Sequence, residues 1–317
     1  MKIMVVGGAG FIGSHVVDAY IQEGHEVIVV DNFSTGKREN VNKEARVYEL
    51  DIWSDTEQLE SVFRAEQPEI VNHHAVQKSV PESVKNPVFD AKINILGTLH
   101  LLDLSVKYNV QKFIFISSGG ALTGEADHIP TTEEMDPQLI SPYAISKYTI
   151  EKYLHFYHIT FGLNYTVLRY ANVYGPRQAG GGECGVTPIF MNNLLNDQPS
   201  VLFAYSDMPK GTTRDYVYVE DVATANVLSI SKGDHSIINI GTGKEVFTED
   251  LYCLAQSIIG KNIPLIREKE RTGDVKRSAL DCSRAEKLLG WKANTPLNEG
   301  LVKTFISMRT ASGQQTQ

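Results

Sequence analysis

The segment KIMVVGGAGFIGSH, residues 2–15, places four glycines between a strand-like apolar run and a helix-like stretch. Gly7, Gly8, Gly10 and Gly13 satisfy both the G-x-G-x-x-G and the G-x-x-G-x-x-G spacing. Glycines at such a turn let the backbone approach a pyrophosphate, and the N-terminus of the following helix favours its negative charge. Because a strand and a helix flank these glycines, the segment predicts the first unit of a dinucleotide-binding domain.

The second apolar run, EVIVVD, ends at Asp31, about 20 residues after the glycines, where a dinucleotide-binding unit needs its acidic residue. A carboxylate at this position can accept both ribose hydroxyls of the adenosine and would repel a 2′-phosphate. We therefore expect NAD rather than NADP. Asp51 and Ile52, which follow the third run, are candidates for contacts to adenine, although an aspartate after a strand usually caps a helix.

Strand-like and helix-like patterns alternate up to about residue 171. The later apolar runs are ARVYEL, EIVNHH, KFIFIS and NYTVLRY, and helical patterns separate them. Apolar runs that alternate with helices indicate βαβ units and a parallel sheet that is buried on both faces. The sequence therefore predicts an α/β fold with a Rossmann-like, doubly wound parallel sheet.

After Asn172 the elements become shorter and more mixed. A Gly-rich stretch, GGGECGVTP, comes first, and INIGTG follows as a late buried strand. Two closing helices are expected, one from Ser283 and one with Thr295 as its cap and Pro296 in its first turn. We predict an NAD-binding domain and a smaller mixed α/β substrate domain. The expected bounds are 1–171 with a return segment at about 215–240, then 172–214 and 241–311, and a disordered tail at 312–317.

Composition limits the classes of function. The chain has 317 residues and a net charge of −8 without a basic tract, which argues against non-specific nucleic-acid binding. No apolar run approaches the length of a membrane span, and no signal pattern precedes the first strand. The three cysteines, Cys184, Cys253 and Cys282, are odd in number and widely spaced. We expect a cytoplasmic protein without disulfides, and no metal, since the histidines lack partners at ligand spacing.

The segment SPYAISKYTIEKYLHFY, residues 141–157, contains Tyr143 and Lys147 one helical turn apart. A tyrosine has a free pKa of about 10, so a base near neutrality needs a shift worth roughly 4 kcal/mol. The start of a helix capped by Ser141 would supply only about 0.3–1 kcal/mol. A lysine ammonium at contact distance could supply roughly 4 kcal/mol at an effective dielectric of 20, so Lys147 is the main factor.

Several motifs occur together with this pair and in a characteristic order. They are GGAGFIG at 7–13, SSGG at 117–120, RYANVYGPRQ at 169–178, RDYVYVEDVA at 214–223 and RTGDVKRS at 271–278. With these motifs the chain resembles the extended short-chain dehydrogenase/reductase family over nearly its whole length. Within that family it is most similar to the UDP-glucose 4-epimerase group.

The resemblance implies roles for three residues. Tyr143 would take the proton of the sugar 4-hydroxyl while hydride passes to NAD, and Lys147 would lower the tyrosine pKa and contact the nicotinamide ribose. A serine at the preceding strand end would hold the hydroxyl. Counted forward from the preceding strand, the serine of the family corresponds to Ser118. Counted back from Gly124, the same family position corresponds to Gly119. The segment carries one extra residue, so Ser118 is the choice and Ser117 the reserve.

The resemblance also implies two sets of binding residues. The cofactor set is Gly7, Gly10, Phe11, Ile12, Gly13, Asp31, Asn32, Asp51, Ile52, His74, Ala75, Lys78, Asn94, Ser117, Tyr143, Lys147, Tyr170 and Val173. The substrate set is Ser118, Tyr143, Asn172, Val186, Phe203, Arg214, Arg271, Asp274 and Ser278. Arg214 and Arg271 would bind the diphosphate, and Phe203 would pack against uracil. Asn94 has an equally good interpretation as a hydrogen-bonded polar group of the core.

Three positions bear on the reaction and the sugar. Related dehydratases carry an Asp-Glu pair, and decarboxylating relatives a glutamate, where this chain has Gly119-Gly120; without that acid, epimerisation is the expected outcome. Thr123 replaces the usual tyrosine of the family, which leaves substrate fit open. Ser278 stands where a tyrosine would close the sugar pocket, so its small side chain predicts that UDP-N-acetylglucosamine is accepted as well as UDP-glucose.

The helices at 87–108 and 143–161 are apolar nearly all round, which predicts a homodimer through these helices, as the resemblance also implies. Two alternatives to a glucose–galactose epimerase stay open. One is a UDP-uronate 4-epimerase or another nucleotide-sugar oxidoreductase on the same scaffold. The other is a catalytically silent NAD-binding regulator, against which the intact Tyr143 and Lys147 argue.

Overall fold

A seven-stranded parallel β-sheet lies at the centre of the computed structural model, which describes residues 1–178, 185–270 and 274–311. Its described strands, in chain order, are β1 Lys2–Val6, β2 Glu26–Asp31, β3 Arg46–Glu49, β4 Ile70–His73, β5 Lys112–Ser118, β6 Tyr165–Tyr170, β7 Asn172–Tyr174, β8 Val201–Ala204, β9 Thr213–Arg214, β10 Tyr216–Tyr218, β11 Ser236–Ile240, β12 Val246–Phe247 and β13 Ile266–Lys269. The central sheet has the order β11-β6-β5-β4-β1-β2-β3, and all its neighbouring pairs are parallel.

Helices cover both faces of this sheet. The described helices are α1 Phe11–Gln22, α2 Thr56–Glu66, α3 Val80–Lys85, α4 Pro87–Ala91, α5 Thr98–Lys107, α6 Gly119–Thr123, α7 Pro142–Phe161, α8 Val186–Leu195, α9 Val219–Ser229, α10 Thr248–Ile259, α11 Ser283–Leu289 and α12 Leu297–Ala311. The predicted Rossmann-like fold is therefore confirmed. None of these described helices combines the length and the apolar character that crossing a bilayer requires.

Strand β1 shows why both faces are buried. Ile3 and Val5 belong to the apolar cluster under α1, α9 and α11, whereas Met4 and Val6 belong to the cluster under α2, α5 and α7. Successive side chains of a strand point to opposite faces, so an unbroken apolar run fills two cores at once. The order of strands reverses between β1 and β4, and the crevice at that reversal is where such sheets bind ligands.

Three small two-stranded sheets and a third apolar cluster follow β6. The pairs are β7–β10, β9–β12 and β8–β13, and the cluster includes Tyr174, Phe190, Tyr252 and Leu301. Strand β11 returns to the edge of the central sheet beside β6. These elements match the predicted change of pattern after Asn172, while the exact domain boundaries stay a prediction.

Two helix predictions need correction. The prediction that Thr295 caps the last helix is wrong, because α12 begins at Leu297, and the carbonyl of Pro296 accepts the first helical bond from Gly300 N at 3.0 Å. Thr295 N instead donates to Asp221 Oδ2 at 2.9 Å. The long helix expected after Pro87 forms, but a π-helical segment, Lys92–Gly97, separates α4 from α5.

Candidate active site

The glycine loop between β1 and α1 allows a very close approach of backbone segments. A Cβ atom on Gly7, whose φ is +85°, would lie 2.4 Å from Ala75 N, and one on Gly13 would lie 2.2 Å from Gly7 O. Neither position can carry a side chain without moving the backbone. Helix α1 begins at Phe11, which Ile12 follows. Gly10 is its N-cap residue, and no side chain makes a capping hydrogen bond to the N–H groups at this end. This cradle fits a pyrophosphate, which needs bare backbone and free N–H groups.

Asp31 ends β2 beside that loop. Its carboxylate accepts hydrogen bonds from Ala9 N at 2.9 Å and from Phe33 N at 2.8 Å. Burial raises the pKa of Asp31, and these two bonds oppose the shift. Asn32 Nδ2 donates to Asp51 Oδ2 at 2.7 Å, so the predicted ribose and adenine residues adjoin one another. Next to Asp51, the buried Ile52 has a carbonyl that lies 3.2 Å from His100 Nδ1.

The segment after β4 forms the opposite wall of the cradle. The N–H groups of His74 and Ala75 donate to Val6 O at 2.7 and 2.8 Å. Burial, together with the charge of Lys147, lowers the pKa of His74 to about 3, so its ring is neutral. The Nε2 atom of His74 is buried and has no hydrogen-bond partner within the described residues. A bound dinucleotide could supply the missing hydrogen-bond partner of His74 Nε2. Lys78, which lies further along the same segment, is exposed.

Asn94 fixes this segment from the π-helical turn. Its Oδ1 accepts from Gln77 N at 2.8 Å, and its Nδ2 donates to Gln77 O at 3.0 Å and to Asp90 Oδ1 at 2.9 Å. The side chain is buried and fully engaged, as the interpretation of Asn94 as a core polar group requires. Asn94 therefore contacts the segment after β4, which forms the wall of the cradle, through Gln77.

Two further predicted cofactor residues direct their hydroxyls away from the cradle. Ser117 Oγ donates to the buried Glu151 at 2.7 Å, and Tyr170 Oη accepts from Asn226 Nδ2 at 2.6 Å. Val173 lies in β7 opposite Val217. Any contact of these residues with a dinucleotide would have to use other atoms, and their assignment stays a prediction.

Tyr143 and Ser118 meet at the carboxyl end of β5. The Ser118 hydroxyl acts to lower the pKa of Tyr143, and its Oγ accepts from Ala121 N at 3.4 Å, which caps α6. Ser141 caps α7 as predicted, since its Oγ accepts from Ala144 N at 3.2 Å. The structure thus brings Ser118, and not Ser117, to the tyrosine, because consecutive residues of a strand point to opposite faces.

Lys147 lies one turn further along α7 and is buried. Its Nζ donates to Ile116 O at 2.8 Å and lies 6.0 Å from the centre of the Tyr143 ring. Burial lowers the pKa of Lys147 to about 7, with Asp90 and Glu151 opposing, and raises the pKa of Tyr143 to about 12. Burial is the largest cause of the raised tyrosine pKa, and the lowering of that pKa by Lys147 stays a prediction.

The predicted substrate residues come together around residues 274–278. Arg214 Nη1 donates to Val275 O at 2.8 Å, and the main-chain oxygen of Asp274 accepts from Tyr205 Oη at 2.6 Å. Ser278 is buried, and its Oγ would lie 3.4 Å from a Cβ placed on Gly120. Arg214, the segment 274–278 and helix α6 therefore form one wall close to Ser118.

The remaining substrate candidates are spread over other elements. Asn172 opens β7, Val186 opens α8, and Phe203 lies in β8. Arg271 lies outside the described residues, as does Cys184. Cys253 and Cys282 are free thiols.

Sequence reasoning gave no role to two buried acids of this region. Asp90 in α4 is 0% exposed, and its charge opposes the lowering of the Lys147 pKa. Asp215 is 1% exposed and accepts from the N–H groups of Thr242, Gly243 and Leu280. The signal for Asp215 was its position directly after Arg214, and the signal for Asp90 was its helical spacing of four from Asn94.

Comparisons with known proteins agree with this geometry. Residues 3–241 match the model of the NAD dependent epimerase/dehydratase family. UDP-glucose 4-epimerase of Mycolicibacterium smegmatis is 36% identical, over 98% of this chain and 100% of that protein. The crystal structure of UDP-glucose 4-epimerase from Thermotoga maritima with UDP-glucose is 48% identical, has a TM-score of 0.95, and matches 98% of this chain and 100% of that one.

A second similar structure is bound to a different nucleotide sugar. It is UDP-N-acetylglucosamine 4-epimerase from Methanobrevibacter ruminantium in complex with UDP-N-acetylmuramic acid. It is 33% identical with a TM-score of 0.91, over 98% of each chain. The resemblance inferred from the motifs is confirmed: the chain belongs to the NAD-dependent epimerase/dehydratase family, and NAD is its cofactor.

Proposed function

We propose that this chain is an NAD-dependent UDP-sugar 4-epimerase that interconverts UDP-glucose and UDP-galactose through a transient 4-keto sugar. The observation that carries the proposal is the placement of Ser118 at the end of β5 and Tyr143 in the first turn of α7 beside buried Lys147, at the edge of a glycine cradle that fits a dinucleotide. The relatives named above, whose full lengths this chain matches, act on such sugars.

The roles follow from position. Tyr143 accepts the proton of the sugar 4-hydroxyl, Ser118 holds the same hydroxyl, and Lys147 stabilises the charge that forms on the tyrosine. When bound, NAD supplies a nicotinamide ring whose positive charge favours the tyrosinate and which accepts and returns the hydride of carbon 4. With a pKa of about 12, ionisation of Tyr143 at neutral pH costs about 7 kcal/mol, so it needs more than one positive neighbour.

The lining next to Ser118 favours epimerisation over elimination. A Cβ on Gly119 would lie 2.4 Å from Leu280 Cδ1, so an acidic side chain at this position would require Leu280 to move. The next carboxylate along the chain, Glu125, accepts a hydrogen bond from Lys276 N at 2.6 Å. Because neither residue 119 nor residue 120 supplies an acid to protonate a leaving hydroxyl, the ketone takes back its hydride on one face or the other.

Two broader expectations belong to the same proposal. We propose the two-domain division given above, with NAD bound by the first domain and the nucleotide sugar held largely by the second. A cytoplasmic location and a role in galactose metabolism agree with the cysteine content and with the proposed reaction.

The first test replaces the proposed base. Tyr143→Phe should lower kcat roughly 10²–10⁴-fold, the usual contribution of a positioned acid–base group. NMR of UDP-glucose, UDP-N-acetylglucosamine and UDP-glucuronate, incubated separately with the protein, measures the products. Tyr148→Phe is the matched control, because Tyr148 and Lys152 repeat the same spacing on the same helix and Lys152 Nζ lies 4.4 Å from the Tyr148 ring.

Unchanged turnover in Tyr143→Phe would refute the assignment of the base. Accumulation of reduced nicotinamide in the wild type would replace the epimerase by a one-way oxidoreductase. Conversion of UDP-glucuronate alone would make the protein a uronate epimerase.

The second test concerns the sugar. We propose that Ser278, being small, leaves space for an N-acetyl group, as in the relative named for UDP-N-acetylglucosamine. Ser278→Tyr should lower kcat/KM for UDP-N-acetylglucosamine by at least about tenfold relative to UDP-glucose. Ser257→Tyr, on the exposed face of α10, should change neither value. A wild type that strongly prefers UDP-glucose, with no effect of the tyrosine, would contradict the proposal.

The third test concerns the choice of cofactor. Asp31→Asn removes the charge that we assign to the adenosine ribose, and a lost charged hydrogen bond costs about 1.5–3 kcal/mol. Affinity for NAD should fall roughly 10–150-fold while discrimination against NADP shrinks, as measured by fluorescence titration with both. Asp197→Asn, whose side chain is 75% exposed, serves as the control. Equal NAD affinity in Asp31→Asn and wild type would remove Asp31 from the ribose site.

The fourth test concerns assembly. We propose a homodimer through α4, α5 and α7, where Val88 and Ile159 are 65% and 69% exposed beside further apolar residues. Val88→Glu combined with Ile159→Glu should halve the mass found by light scattering at micromolar concentration. Ile306→Glu, on the exposed face of α12, should leave the mass unchanged. A monomeric wild type would overturn this assembly.

A further inference from the structure

Asp90 is a fully buried acid that the proposed mechanism does not use. It lies in α4 and has an exposure of 0%. Its Oδ2 accepts from Ser146 Oγ at 2.5 Å, while its Oδ1 accepts from Asn94 Nδ2 at 2.9 Å and from Gln77 Nε2 at 3.1 Å. A buried carboxylate is costly unless hydrogen bonds or an opposite charge compensate it, so its presence calls for an explanation.

These bonds join three parts of the site. Ser146 directly precedes Lys147 on α7, Gln77 belongs to the wall of the NAD cradle, and Asn94 lies in the π-helical segment. Such π-helical turns often occur at functional sites. Here the turn holds the Asn94 side chain against both Gln77 and Asp90. Asp90 therefore fixes the helix that carries the lysine relative to the wall that faces the cofactor.

The charges around Lys147 single out Asp90. On its own helix Lys147 faces Tyr143 and Glu151; α4 contributes Asp90, and the end of β4 contributes His73 and His74. Burial lowers the pKa of both histidines, which are therefore neutral.

Glu151 is already compensated, because Arg169 Nε and Nη2 donate to it at 2.9 and 2.6 Å. The charge of Lys147 lowers the pKa of Asp90 and so favours its carboxylate form.

We propose that Asp90 is a positioning residue of the Tyr143–Lys147 pair: it anchors α7 through Ser146, and its charge keeps the amine of Lys147 protonated. The catalytic meaning of this role rests on the proposed function, whereas the effect on the lysine does not. Burial drives Lys147 toward the neutral amine and lowers its pKa to about 7, although the charges of Asp90 and Glu151 oppose that shift. The same charge raises the pKa of Tyr143, so the tyrosine rests in its protonated form.

The sign of the effect is the same for both members of the pair. Removing the negative charge destabilises the ammonium of Lys147 and relieves the tyrosinate of Tyr143, so both pKa values fall. An opposite charge at short range is worth roughly one to three pKa units. The whole pH profile of kcat/KM should therefore move to lower pH when Asp90 loses its charge, whereas a merely structural role would lower the profile without moving it.

The experiment compares Asp90→Asn with Ser146→Ala in the full chain with NAD. Asparagine keeps the shape and can hydrogen-bond to Ser146, whereas Ser146→Ala removes the anchor and leaves the charge. The pKa of Lys147 is read by NMR of ¹³C-labelled lysine, assigned with Lys147→Arg, and kcat/KM is measured over the same pH range. We expect Asp90→Asn to lower the lysine midpoint by at least about one unit and to move the kcat/KM profile with it, while Ser146→Ala leaves the midpoint near that of the wild type.

Asp90→Ser is a second neutral variant in case Asp90→Asn does not fold, as judged by circular dichroism. A lysine midpoint that does not move in the folded neutral variant would overturn the proposal. So would a lower kcat with an unmoved pH profile. If the wild type epimerises no UDP-sugar, the proposed function fails separately, and the lysine titration still decides the role of Asp90.

Discussion

Desolvation is the physical constraint on which the site depends. Within one small region it raises the pKa of Tyr143 to about 12, lowers that of Lys147 to about 7 and lowers that of His74 to about 3. Each group is pushed toward its neutral form, because a lone charge in a buried site loses its hydration. Charge can therefore persist here only where an opposite charge or several hydrogen bonds compensate it. Glu151 meets this condition through Arg169, and Asp90 meets it through three hydrogen bonds and Lys147. A reaction that removes a proton and a hydride together suits such an environment, since no isolated charge has to survive.

The sheet explains how these groups meet. Strands β1, β2, β4 and β5 end at the same edge, and the order of strands reverses between β1 and β4. That reversal leaves a crevice, which the Gly7 loop and Ala75 line from its two sides. Strand β5 continues into α6 and delivers Ser118 at its last residue, while α7 lies across the same edge with Tyr143 in its first turn. Neither the tyrosine nor the serine belongs to the glycine cradle in sequence, yet parallel strand ends place all of them together.

The parts of this arrangement that sequence could predict are those set by local physics. Glycine spacing, alternating apolar runs and the capping of α7 by Ser141 each depend on a few neighbouring residues, and the structure agrees with all three. The start of α12 was misplaced because Thr295 is bound by Asp221, a partner more than 70 positions away. Asp90 was missed for the same kind of reason, since its importance comes from Ser146 and Gln77 on other elements. The choice between Ser117 and Ser118 needed the pleat of β5, because the spacing from Gly124 pointed to a different position.

Helix α6 also borders the proposed sugar site. Within it, Gly119 packs so closely on Leu280 that a Cβ would lie 2.4 Å from Leu280 Cδ1. The segment that contains Leu280 is also held by a main-chain hydrogen bond, because Thr131 N donates to Ala279 O at 2.8 Å. Thr123 is 6% exposed, and its hydroxyl donates to Gly120 O within α6. Its side chain therefore lies in the core and supplies none of the bulk of the tyrosine that is usual at this position in the family. With Thr123 buried and Ser278 small, neither segment adds the bulk that would narrow the proposed sugar site. On the function proposed above, we infer that the size of the accepted sugar depends on how α6 packs against residues 278–280, rather than on either residue alone.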